Sequence, residues 1–140
     1  MIFSHPYKVY ISHTDAGGIV YHANHLTFFE HCRRDWLTSL GFDSYFLDDG
    51  RHFVVKNVTL DYKEALLLDE TLIVSIDTVL AKNATLILTQ SIYKNQKDLE
   101  QKKAAAAAVI TLTCVRHENG RIRPCRIDDA LCLKLGLTKP

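Results

Sequence analysis

A single segment of this chain carries the spacing of a long amphipathic helix, and most of the chain beyond it alternates with a period of two. Between Asn24 and Gly41, the residues Leu26, Phe29, Cys32, Trp36, Leu37 and Leu40 recur at helical intervals, with charge at Glu30, Arg33, Arg34 and Asp35. This pattern predicts about four to five helical turns with one apolar stripe, Asn24 as N-cap and Gly41 just past the C-terminus. One helix cannot cover both faces of a sheet. The fold class is therefore α+β with a mainly antiparallel sheet, and its open edges and uncovered face favour a dimer.

Tyr7, Val9 and Ile11 alternate with Lys8, Tyr10 and Ser12 and predict a short first strand. Beyond the loop Asp48-Asp49-Gly50-Arg51, one face of a strand takes Val54, Val58, Leu60 and Tyr62, and one face of the next takes Leu72, Val74, Ile76 and Leu80. Ala81-Lys82-Asn83 reads as a tight connection into an alternating run from Thr85 to Tyr93, and Lys94 to Asp98 as a second turn. The run Ala104 to Ala108 favours helix by intrinsic propensity. Its β-branched neighbours Val109, Ile110, Thr111, Thr113 and Val115 favour strand instead. A final long strand is predicted from about Lys103 to Arg116, its small side chains allowing another layer close, and ending at His117-Glu118-Asn119-Gly120. Asp128 to Leu135 reads as a short capped helix.

With 140 residues and no internal linker, residues 1–140 form one domain. Seventeen basic against sixteen acidic residues leave a net charge of +1, which supplies no field for nucleic acid or a membrane surface. No apolar run is long enough for an integral membrane segment, and the N-terminus lacks a signal-peptide pattern. Cys32, Cys114, Cys125 and Cys132 show no C-x-x-C spacing, which points to reduced thiols in a cytoplasmic protein.

Chemistry concentrates between His13 and His25. Asp15 stands just before Gly17-Gly18, where a carboxylate with little bulk around it can attack an acyl carbon or activate water. The same spacing suits an aspartate that only caps its own turn. His22 lies near the expected helix start, where its imidazole can position water and its backbone N–H can polarise a carbonyl; a partly buried subunit contact is the alternative. His13, Asp15, His22 and His25 offer nitrogen and oxygen ligands suited to zinc, but no metal signature accompanies them and none is expected. Lys56 interrupts an apolar face, either as a contact to phosphate or carboxylate or as a bulge or snorkelling side chain. Glu30 and Arg34 have the spacing of a surface ion pair. Lys82, Arg116, Arg121 and Arg123 read as a local phosphate rim or as solvated surface. The absence of Walker A, Rossmann and G-x-S-x-G patterns argues against nucleotide-triphosphate, nicotinamide and serine-hydrolase chemistry.

The stretch HTDAGGIVYHANHLTFFEHCR closely resembles the Asp-loop of hotdog-fold acyl-CoA thioesterases. It is most similar to the 4-hydroxybenzoyl-CoA thioesterase class, in the YbgC branch associated with the Tol–Pal system. The resemblance implies a hotdog: an antiparallel sheet wrapped around one long central helix, paired edge to edge in dimers that often assemble into tetramers. It further implies active sites at the dimer interface, no metal or organic cofactor, and acyl-CoA as substrate. On the matching positions Asp15 is the catalytic nucleophile or general base, and His22 marks the helix start facing the thioester oxygen. Gly17, Gly18 and Tyr21 shape the substrate-binding loop. Four departures bear on subfamily and substrate: His13 in place of an acidic residue, Leu68-Asp69 in place of Gly-Asp, Ala81-Lys82-Asn83-Ala84 without glycine, and Pro124-Cys125. The expected activity is thioester hydrolysis. Acyl-CoA or acyl-carrier binding without turnover, and a scaffold role in envelope assembly, are the alternatives.

Overall fold

Apolar side chains recurring at helical spacing in one segment and at strand spacing in the others have one economical solution, which is to face each other. In the computed structural model, which describes residues 1–47 and 49–137, helix α1 (His25–Ser39) packs on an antiparallel sheet. The strands are β1 (Phe3–Lys8), β2 (His52–Tyr62), β3 (Thr71–Lys82), β4 (Thr85–Tyr93), β5 (Ala106–Glu118) and β6 (Arg121–Pro124). Their order is β1-β3-β4-β5-β2, with β6 paired to the end of β5. Phe28, Phe29, Cys32 and Trp36 of α1 share the core with Leu72, Val74, Ile76, Leu88, Ile92 and Ile110. The alanine run is strand only from Ala106, later than the predicted start near Lys103; Ala106 and Ala108 are buried in the same core.

The stripe on α1 is rotated from the predicted one. His25, Phe28, Phe29, Cys32 and Trp36 are buried, whereas Leu26 is 41% exposed. The buried set keeps the i, i+3, i+4, i+7 rhythm of one face, from which Leu26 stands a quarter-turn away. At the C-terminus Gly41 serves as expected. Its φ is +94°, its N–H reaches Thr38 O at 3.0 Å and the Phe42 N–H reaches Leu37 O at 3.0 Å, a Schellman closure.

Three strand expectations shift. β1 begins earlier than the Tyr7–Ile11 alternation, its register with β3 running from Phe3 opposite Ile76 to Lys8 opposite Thr71; just beyond, Val9 still donates to Glu70 O at 2.8 Å and accepts the Asp69 N–H at 3.0 Å. Pro6 is tolerated because β1 is an edge strand; Ile11–His13 then forms a 3₁₀ turn. In β3 the register slips between Ile76 and Thr78, so Asp77 is an inserted residue. That bulge reverses the alternation, leaving Leu80 exposed and Ala81 buried. The Asp77 carboxylate accepts from Ser75 Oγ at 2.8 Å and from Ser91 Oγ at 2.7 Å. A second slip, between Val55 and Asn57, places Lys56 at a bulge of β2.

Two short elements add to the predicted set. Lys94 to Asp98 is not a tight turn but the entry to helix α2 (Gln96–Glu100), because Asn95 Oδ1 accepts the Asp98 N–H at 2.8 Å. Asn119 and Gly120, at φ +50° and +74°, turn the chain back into β6. Helix α3 (Asp129–Lys134) is capped as predicted, by Asp128 Oδ1 accepting the Leu131 N–H at 2.8 Å. All four cysteines are free thiols, and burial pushes Cys32 and Cys114 up to about 12. Among the described residues no helix is long and apolar enough to cross a membrane.

Candidate active site

The run from His13 to His25 folds as a miniature hairpin feeding a helix. Thr14 and Val20 form an antiparallel bridge, the Asp15 N–H donates to Ile19 O at 3.0 Å and the Tyr21 N–H to His13 O at 3.0 Å. Gly17 and Gly18 occupy the tip, where Gly18 takes φ +74° and donates to Asp15 O at 3.2 Å. Only a glycine adopts that angle without strain. The hairpin is pinned to the segment after β2 by Val20 N–H to Leu66 O at 2.8 Å and Leu68 N–H to Gly18 O at 3.0 Å.

Asp15 is exposed, and its Oδ1 accepts the Gly17 N–H at 2.9 Å. The turn-capping role that the spacing allows is therefore real, but it engages one oxygen. Oδ2 makes no hydrogen bond among the described residues. A carboxylate oriented through one oxygen presents the other in a set direction.

Tyr21 is extended, with φ −60° and ψ 136°; a 3₁₀ turn over His22–Asn24 follows and leads into α1. The first N–H groups of such a start have no acceptor within the helix and carry its positive end. Asn24 is not the side-chain cap predicted, since its backbone is already helical at φ −77° and ψ −12°. Its amide Nδ2 instead donates to His13 O at 2.8 Å, tying the helix start to the Asp15 hairpin. From the far side, the Tyr62 hydroxyl at the end of β2 donates to His22 O at 2.7 Å. The alternation of β2 marks Tyr62 only as an apolar member of its strand. Its hydroxyl needs a partner, but one forty positions away leaves no local sign.

A cavity of about 270 Å³ opens beside the helix start, lined among others by Ile19, Val20, His22, His25 and Tyr62. Of the residues marked in the sequence as catalytic or substrate-binding, His22 alone lines it. Asp15, Gly17, Gly18 and Tyr21 stand on the adjoining hairpin. Lys56 is not brought to them: it lies about 20 Å along the strand from Tyr62 at 3.3 Å per residue. A second, more apolar cavity of about 140 Å³ sits under the C-terminal half of α1, lined by Trp36, Leu37, Phe53, Val55 and Leu112. Arg33 also lines it and donates to Gln90 Oε1 at 2.9 Å. Arg34 does not pair with Glu30; it donates to Phe42 O at 2.8 Å and Ser44 O at 2.9 Å, clamping the loop after α1. In the proposed phosphate rim, Arg116 lies 3.7 Å from Asp49 and Arg123 3.8 Å from Glu118.

Residues 9–135 match the sequence profile of the Thioesterase-like superfamily. The chain belongs to that superfamily. This thioesterase-like chain is 36% identical over 124 residues to the acyl-CoA thioesterase YbgC of Haemophilus influenzae, covering 87% of its own length and 85% of that protein. It is 33% identical over 99 residues to the acyl-CoA thioester hydrolase YbgC of Escherichia coli O157:H7, covering 70% and 74%. A hypothetical protein from Aquifex aeolicus superposes with a TM-score of 0.77 at 26% identity, over 95% of this chain and 98% of that one. A 4-hydroxybenzoyl CoA thioesterase mutant complexed with 4-hydroxybenzoyl CoA superposes with a TM-score of 0.82 at 9% identity, over 95% and 97%, a likeness of fold. The thioesterase-like fold is the expected hotdog, an antiparallel sheet around one long helix.

Proposed function

We propose that this chain hydrolyses acyl-CoA thioesters to a carboxylic acid and free coenzyme A, with Asp15 as nucleophile or general base. The observation that carries the reading is the hairpin: Asp15 has one oxygen fixed by Gly17 N–H and one open, and His13 O joins its loop to the helix start. The N–H groups at the helix start, near His22, polarise the thioester carbonyl and stabilise its developing negative charge. As a base, Asp15 takes a proton from water; the oxygen bonds to the acyl carbon, and collapse breaks the C–S bond. The proton then goes to the coenzyme A sulfur. As a nucleophile, the Asp15 carboxylate bonds to the acyl carbon and the C–S bond breaks to expel the coenzyme A thiolate. Water then opens the acyl anhydride, its oxygen going to the carboxylic acid and its proton to the thiolate, and the Asp15 carboxylate is regenerated. Gly17, Gly18 and Tyr21 shape the substrate loop, and the His22 imidazole orients water. Four reduced thiols and this substrate suit the cytoplasm.

Two copies complete the site in this reading. β2 is a free sheet edge of eleven residues, long enough to pair with its own copy. Antiparallel pairing about the middle of β2 sets the Tyr62 end of one strand beside the His52 end of the other. The helix start of one protomer then faces the apolar cavity at Phe53 and Val55 of its partner, which would receive the acyl group. Lys56, on the same edge, becomes a contact for phosphate across the subunit boundary.

The test is thiol release over short, long and aromatic acyl-CoAs, with wild type and Asp15→Asn. Asp15→Asn is expected to lose at least about a hundredfold in kcat while keeping the wild-type circular dichroism spectrum. Wild-type kcat in the folded variant would remove Asp15 from the chemistry. Tight acyl-CoA binding without thiol release by the wild type would make the chain a binding protein.

A further inference from the structure

Where β5 leaves one partner strand for the next, it carries a thiol that meets a second thiol. β5 pairs with β4 as far as Thr113 opposite Thr85, and with β6 from Val115 opposite Pro124. Cys114 stands at the junction. Its N–H donates to Ala84 O at 2.7 Å, and its carbonyl accepts the Cys125 N–H at 2.8 Å. Carried one step past Val115 and Pro124, the β5–β6 register sets Cys114 directly opposite Cys125. Side chains opposite one another in an antiparallel pair leave the strands on the same face, and here the two Sγ atoms lie 3.6 Å apart. Cys32 and Cys132 are engaged by backbone instead, at Val74 O (3.4 Å) and Ile127 O (4.0 Å).

Opposed residues of an antiparallel pair have Cα atoms about 4.5–5.5 Å apart, within the span that a disulfide bridges. A bond between these sulfurs therefore asks for side-chain rotation rather than movement of the strands. The two thiols differ in access. Cys114 is fully buried, and burial with the adjoining Cys125 sulfur keeps it protonated, pushed up to about 12. Cys125 is half-buried, just past the exposed strand β6, and is the sulfur that an oxidant in water meets first. Beyond it runs the C-terminal segment. There the Ile127 N–H donates to Asn83 O at 2.8 Å, Arg51 Nη1 donates to Arg126 O at 3.3 Å, and Ile127, Leu131, Cys132 and Leu135 join the core.

We propose that Cys114 and Cys125 are a peroxide-responsive dithiol, closing to a disulfide that fastens the C-terminal segment to β5. The Cys125 thiolate attacks one oxygen of hydrogen peroxide and breaks the O–O bond, giving a sulfenic acid and, with the thiol's proton, one water. The Cys114 sulfur then bonds to the Cys125 sulfur and the S–O bond breaks. The departing hydroxide takes the Cys114 proton and leaves as a second water. Two thiols lose two electrons, and one peroxide gains them. A small dithiol reverses the bond by exchange. In a reducing compartment the pair stays open until oxidant accumulates, the regime in which intracellular disulfides form transiently. Nothing in these steps calls on Asp15 or on thioester chemistry.

The experiment treats the reduced, folded chain with hydrogen peroxide, then labels the remaining thiols with a maleimide in denaturant and maps the peptides by mass. Wild type is expected to lose two of its four free thiols, to yield a peptide linked through Cys114 and Cys125, and to recover all four with dithiothreitol. On oxidation its Tm is expected to rise by about 5 °C, and amide hydrogen exchange in α3 to slow about tenfold. Cys125→Ser is expected to keep its remaining thiols and its Tm through the same treatment. Cys114→Ser is expected to stop at the Cys125 sulfenic acid, trapped with dimedone. Four free thiols in the treated wild type, or a linkage between two chains in place of the internal one, would overturn the proposal. So would a linked peptide with unchanged Tm and α3 exchange, a bond that fastens nothing. Should Cys114→Ser not fold, the wild-type map and Cys125→Ser still decide.

Discussion

Two histidines of the site region have their charge suppressed by their surroundings. Burial holds His25 below the usual imidazole range, helped by the neighbouring His22, against a smaller upward pull from the Tyr21 and His22 carbonyls. Burial also lowers His13, with a further push from His31. In both cases the folded pKa lies below the unfolded value of about 6.5, so the unfolded chain takes up protons first as pH falls. Stability from these groups is complete above that value and is lost as pH drops through it toward the folded pKa. Thermal melts are expected to be level above about pH 7 and to fall to lower Tm below about pH 6.5. His25→Phe is expected to flatten part of that slope; an unchanged pH profile would remove His25 as a contributor.

At the scale of elements, legibility in the sequence depends on whether the determining contact is local. The α1 helix and its Gly41 terminus are legible because the stripe and the left-handed residue lie within one run of sequence. Gly41→Ala places a side chain at φ +94° and is expected to cost about 1–2 kcal/mol, seen as a lower Tm with unchanged kcat/KM. The bulge at Asp77 is not legible, because an inserted residue is defined only by its partner strand. Lys56 does leave a mark by interrupting an apolar face, and Asn119-Gly120 carries a hairpin signal that also suits a strand end. Asp77→Ala is expected to cost about 1–3 kcal/mol, since the carboxylate that holds the Ser75 and Ser91 hydroxyls would be gone. Denaturant unfolding measures it, and a cost near zero would mean that water replaces the carboxylate. The Asp15 hairpin is legible through its motif. Its links to Tyr62 and Leu66 are not, being long-range contacts that leave no period in the sequence.

At the scale of the whole molecule, the proposed two-copy site runs across the edge of β2. Val55 is 53% exposed there and also lines the apolar cavity. Val55→Lys sets a charge on the edge proposed to pair with a second copy. It is expected to shift sedimentation toward a monomer and to lower thiol release in parallel; a monomeric variant with full turnover would show that each chain works alone. A different consequence comes from the shared acceptor at His13, whose carbonyl takes both the Tyr21 N–H and the Asn24 amide. Loop and helix start are mechanically one piece. The backbone amides of Asp15 and Tyr21 should therefore exchange their hydrogens with solvent in step with the first turn of α1. The chain would then protect its Asp15 loop for as long as the helix beneath it stays wound.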